Sequence, residues 1–88
     1  MQYYKAISMS HAKKLLDKMR LNHKDWRIAQ LETVAKQHGI NIRKSTGSHV
    51  VFEYPGSVEQ LCVPAHRPIK PIYVKKFVSL IDAIGTEI

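Results

Sequence analysis

The chain has 88 residues, 44% of them hydrophobic, with fourteen Lys and Arg against seven Asp and Glu for a formal net charge of +7. That length bounds it to one domain with a modest core, and the apolar share excludes wholesale disorder. No apolar run approaches the roughly 20 residues that span a bilayer, so no membrane partner is expected. The opening Met1-Gln2-Tyr3-Tyr4-Lys5 lacks the apolar stretch of a secretory signal. Cys62 is the single cysteine, which excludes an internal disulfide, and a reducing, cytoplasmic setting is expected.

Residues 1–7 carry no clear signal. Ser8 and Ser10 are candidate N-caps for a helix through about Leu21, where Ala12, Leu15, Leu16 and Met19 recur at helical spacing. Asn22-His23-Lys24 reads as a connector. Asp25 is then expected to cap a second helix running to about His38, with Ile28, Leu31, Val34 and Ala35 inward and Gly39 ending it. From Ile40 the period changes to two: Ile40 and Ile42 open a short strand, Ser45-Thr46-Gly47 turns it, and Ser48 to Tyr54 returns. Pro55-Gly56 turns the chain again, and a third strand runs from Glu59 to Val63, stopped by Pro64. From Ile72 the helical period resumes through Val74, Phe77, Val78, Leu80, Ile81 and Ile84, as far as Gly85. The order α-α-β-β-β-α predicts an α+β domain: one three-stranded antiparallel sheet, covered on one face by two helices and open on the other.

The positive charge is concentrated in two places. Residues 1–24 hold six basic side chains and one acid, and residues 43–76 hold Arg43, Lys44, Arg67, Lys70, Lys75 and Lys76 against Glu53 and Glu59. An excess of this kind favours nucleic acid or another acidic partner, with a merely solvated surface as the plainer alternative.

Three segments could carry chemistry. In the second strand, alternation puts Val50, Phe52 and Tyr54 on one face and His49, Val51 and Glu53 on the other, so a core under the first set turns His49 outward. Imidazole titrates nearest neutrality of all side chains. Gly47 beside it permits close backbone approach, and Ser48 can donate a hydrogen bond. Removal of a proton from an RNA 2′-hydroxyl is the reaction such a group would assist, against the alternative of an ordinary hairpin turn with a solvated His49. The segment Pro64-Ala65-His66-Arg67-Pro68-Ile69-Lys70-Pro71 places a histidine, an arginine and a lysine in a proline-stiffened loop. There His66 is a candidate general acid and Arg67 and Lys70 are candidate phosphate contacts. Lys75 and Lys76 are expected in the first turn of the last helix, where a bound phosphate would offset their repulsion by the macrodipole. His11, His23 and His38 are scattered, no metal-ligand spacing occurs, and no cofactor is expected. Trp26 reads as a core anchor, and Cys62 as a small residue buried or half-buried on the sheet.

From about Asp25 to Ile84 the chain resembles the HicA toxin family, the RNA-cleaving halves of HicA–HicB type II toxin–antitoxin pairs. The resemblance rests on a helix ending in Gly39-Ile40, on Gly47-Ser48-His49 with Phe52 three residues on, on Val63-Pro64 closing the third strand, and on the terminal amphipathic helix. It implies a fold like that of double-stranded-RNA-binding domains, and a metal-independent endoribonuclease (mRNA interferase) acting on mRNA. The family's functional histidine maps onto His49 and its motif glycine onto Gly47, with Ser48 between them. A HicB-like antitoxin is the implied protein partner, in a homo-oligomer or a toxin–antitoxin hetero-oligomer. Minimal family members begin near the first core helix, so residues 1–24 read as a basic extension with one extra helix, and 25–88 as the HicA-like domain. Two other readings stand beside this one: a non-catalytic RNA-binding module, and a small interaction domain whose basic surface meets an acidic partner.

Overall fold

A computed structural model describes residues 3–45, 47–58 and 60–85, with side chains from His11 to Ile84. The elements are α1 (Tyr3–Leu21), α2 (Ile28–Gln37), β1 (Asn41–Lys44), β2 (His49–Glu53), β3 (Gln60–Pro64) and α3 (Pro71–Gly85). The expected order and types of element therefore hold. Thr46, in the first turn, and Glu59, expected to open β3, lie outside the described residues.

Several boundaries differ from expectation, each for a local reason. α1 begins at Tyr3, so Ser8 and Ser10 lie inside the helix and do not cap it. Interior serine costs at most about 0.7 kcal/mol relative to alanine, and no Gly or Pro interrupts 3–21. Asp25 is not the cap of α2. It takes a left-handed backbone (φ 65°) in the connector, and the cap is Arg27, whose N–H donates to Gln30 Oε1 at 2.9 Å. Gly39 ends α2 as expected, at φ 71°, one residue after the His38 cap. α3 starts with Pro71, whose missing N–H is no loss in a first turn, and the Lys70 carbonyl accepts from Tyr73 and Val74.

The sheet is an antiparallel meander in the order β1-β2-β3. Its register aligns Ile42, Phe52 and Leu61, and then Lys44, Val50 and Val63, on the helix-covered face. Arg43, Val51 and Cys62 align on the other, together with Asn41, Glu53 and Gln60 and with the His49–Pro64 pair. α2 packs beside β1, α3 beside β3, and α1 against both helices. Phe52 of the central strand meets Phe77 of α3 edge-on, ring centroids 5.1 Å apart, with both residues fully buried. Such pairs add about 0.5–1.5 kcal/mol beyond the area they bury. Leu16 and Met19 of α1 belong to the same core cluster as Leu31, Val63 and Val74.

Two sheet residues depart from simple alternation. Val51 faces away from the helices yet is only 6% exposed, because on the central strand it is walled by Arg43 and Cys62 across the ladders and by His49 and Glu53 along its own strand. Cys62, expected to be buried or half-buried, is exposed, since it sits on the edge strand with its side toward the open face. Because Met19 is fully buried in the shared core, Met19→Ala should lower unfolding stability by about 2–5 kcal/mol in urea denaturation, in a single transition.

Candidate nucleic-acid interface

One end of the sheet gathers most of the residues singled out in the sequence. Gly47 has φ 70°, a left-handed backbone that other L-residues resist, and its surroundings are open. The turn closes with the Ser45 N–H donating to the His49 carbonyl at 3.0 Å. His49 is the first residue of β2, exposed on the open face opposite Pro64. Beyond that pair, the Ala65 N–H donates to the Ser48 carbonyl at 2.6 Å, which draws the β3–α3 loop alongside the turn. His66, exposed, follows directly in the chain. No window along the chain relates His66 to His49; the Ser48–Ala65 bond sets the loop that bears His66 beside the turn that bears His49. Among the described residues, no side-chain hydrogen bond is made to the His49 imidazole or the Ser48 hydroxyl.

The far side of the same loop is held by Trp26. Its carbonyl accepts from the Ile69 N–H at 2.7 Å, its indole N–H donates to the Asn22 carbonyl at 2.7 Å, and it is 7% exposed. Ile69 is fully buried. This clamp sets the α1–α2 connector against the β3–α3 loop. Arg27, Ile28, Ala29, Ala65, His66 and Arg67 then line one hollow of about 400 Å³. Asp25, Arg27, Arg67 and Pro68 line a smaller one of about 180 Å³.

The remaining cations are dispersed. Arg43, on the open face, donates through Nε to Glu53 Oε1 at 3.3 Å, so its charge is partly offset. Lys44 lies on the helix-covered face at the sheet edge, with Nζ 3.8 Å from Glu32 Oε2, a buried oxygen that has no hydrogen-bond partner among the described residues. Lys70 is exposed just before α3. Lys75 and Lys76 are the fifth and sixth residues of α3, one residue further in than expected and just past the first turn, where the macrodipole has largely faded. Lys76 stands 5.9 Å from the Tyr73 ring centroid and lines a groove of about 490 Å³ with Leu61, Gln60 and Leu80. That groove adjoins the end of β3 remote from His49, since Gln60 pairs with Glu53 while Pro64 pairs with His49. Four residue steps along the strand separate the two ends, about 13 Å at roughly 3.3 Å per residue.

The structure thus brings His49, Gly47, Ser48, His66 and Arg67 to one end, with Lys44 at that end but on the helix-covered face, and sets Lys76 apart at the other. Arg27 was not among the expected contacts. It carries no local signal, because a nonlocal backbone pairing brings it to Arg67. No group of three His, Cys, Asp or Glu residues that could hold a metal converges among the described residues. No protein-family model, curated protein or solved structure matches the chain.

The backbone at Gly47 supplies a direct check. Gly47→Ala meets no steric obstacle and should still destabilise the fold by about 1–2 kcal/mol through its left-handed backbone alone. Gly47→Asn, which tolerates that conformation better, should cost less in the same denaturation measurement.

Proposed function

We propose that this protein is a metal-independent endoribonuclease of HicA type, binding mRNA across the open sheet face with His49 as general base. The observation that carries the reading is the placement of His49: exposed, at a glycine-dependent turn, on the sheet face that the helices leave free. The arrangement of Ile28–Gly85, a helix, a three-stranded meander and a second helix on the same sheet face, supports a double-stranded-RNA-binding-domain-like fold. In the proposed reaction His49 takes the proton of a 2′-hydroxyl and that oxygen attacks the adjacent phosphorus. The P–O5′ bond breaks as the P–O2′ bond forms, leaving a 2′,3′-cyclic phosphate. The departing 5′-oxygen takes a proton, for which His66 is the candidate donor. Arg43, Arg67 and Lys70 hold the backbone in this reading; Lys44 contributes less because Glu32 draws its ammonium to the helix side, and Lys75 and Lys76 contribute less because α3 covers the opposite face. A HicB-like antitoxin that covers the open face would shut off both binding and cleavage, which makes the protein the toxin of such a pair.

One observation favours a second reading, a non-catalytic RNA-binding module. Among the described residues nothing hydrogen-bonds to the His49 ring, so no side chain fixes its orientation in the free protein. A general base is most effective when a neighbour orients it.

His49→Ala separates the two. Under the nuclease reading it lowers the single-turnover cleavage rate of an mRNA substrate in EDTA by about 10²–10⁴, with RNA affinity retained. Equal cleavage by wild type and variant sinks the role of His49. No cleavage by the wild type, with binding intact, leaves the second reading. For the backbone contacts, Lys70→Gln should reduce the slope of log K against log salt by about 1, and Lys75→Gln should change it less.

A further inference from the structure

Two of the four arginines have evident counter-charges. Arg20 bonds Asp82 at 2.7 Å and Arg43 pairs with Glu53 at 3.3 Å. The other two, Arg27 and Arg67, make no ion pair with any described residue. They are also the two that share a cavity, the hollow of about 400 Å³ at the foot of α2, and His66 lines it with them. Among the described residues, no carboxylate lines that cavity. Asp25 lines only the adjoining hollow and forms no ion pair with either arginine.

Arg27 and Arg67 line the same concavity, so like charges share one wall, and the Trp26–Ile69 clamp does not let their loops drift apart. An anion between them turns repulsion into attraction. A guanidinium presents its donors as a planar fork suited to phosphate oxygens, and is always charged at neutral pH. His66 adds a ring N–H donor at the rim. We infer that Arg27, Arg67 and His66 form a phosphate-binding pocket, distinct from the open sheet face and placed beside the turn that carries His49. The choice of RNA as the source of that phosphate rests on the function proposed above; the pocket itself does not.

Its position gives it a role. The Ser48–Ala65 bond joins the loop that bears His66 and Arg67 to the turn that bears His49. A phosphate held in the pocket therefore fixes the strand next to the imidazole and sets which internucleotide bond it faces.

The test is titration of the full-length protein with inorganic phosphate at constant ionic strength, followed by the arginine Nε–H and backbone amide NMR signals. The Nε–H signals of Arg27 and Arg67 should shift together along one saturable curve. Arg27→Gln and Arg67→Gln should each weaken that curve at least tenfold, and Lys36→Gln, on the exposed side of α2, should leave it unchanged. Should R27Q not fold, R67Q in the exposed loop carries the comparison. Unmoved Nε–H signals, or an R67Q curve like that of the wild type, would overturn the inference. A second arm compares RNA oligonucleotides with a 5′-phosphate and a 5′-hydroxyl. Preference for the first, lost in R67Q, identifies a terminal phosphate; equal binding, weakened alike by R67Q, identifies a backbone phosphate; no effect of R67Q on either counts against the pocket. Phosphate binding that persists in a protein with no cleavage activity would remove the nuclease reading and leave the pocket standing.

Discussion

The contact on which the candidate interface depends is the hydrogen bond from the Ile69 N–H to the Trp26 carbonyl. It lies between two buried side chains, so water does not compete for it, and leaving either backbone group unpaired there would cost about 1–3 kcal/mol. Its effect is chiefly one of placement. Fixing a loop residue costs about 1–2 kcal/mol of backbone entropy, and a single clamp holds both loops at once. Without it Arg27 would belong to the start of α2 and Arg67 to the approach to α3. With it they line the same wall.

The sheet contributes a different constraint. Its helix-covered face is saturated by Phe52, Val50 and Val63, so the free face carries what remains: His49, Arg43, Val51, Glu53, Asn41, Gln60, Cys62 and Pro64. That face is polar without being strongly charged, because Glu53 partly offsets Arg43 at 3.3 Å. The field that would attract a polyanion comes from its margin, where Arg27, Arg67 and Lys70 lie on the loops. An RNA strand drawn to the margin would meet His49 at the border between the two regions. Proximity to the imidazole would then follow from loop charge, and the sheet would act as a platform.

What could be read in the sequence followed from local physics. Alternation from His49 to Glu53 assigned the faces of β2, Gly39 ended α2, and the apolar spacing of Ala12, Leu16 and Met19 marked the buried side of α1. The errors arose where a local signal had a competitor. Asp25 resembles a helix cap, yet it occupies a left-handed turn that aims Trp26 into the core, and the cap moves to Arg27. An apolar period that starts at Ile72 puts Lys75 and Lys76 at about the first turn. Proline's preference for the opening position puts the start at Pro71 and leaves both lysines one residue deeper, just past that turn. Arg27 gave no hint at all, since its neighbour Arg67 is supplied by a pairing that no window along the chain contains.

A meander of three strands has two unpaired borders, and here they are guarded unequally. β1 bears Arg43 and Lys44, charges that discourage another chain from adding to the ladder. β3 reads Gln60-Leu61-Cys62-Val63-Pro64, with no charge, and only its terminal proline withholds a donor. Unwanted self-association, if the domain is crowded or partly opened, would therefore begin along β3, and one lysine introduced at Cys62 would blunt it.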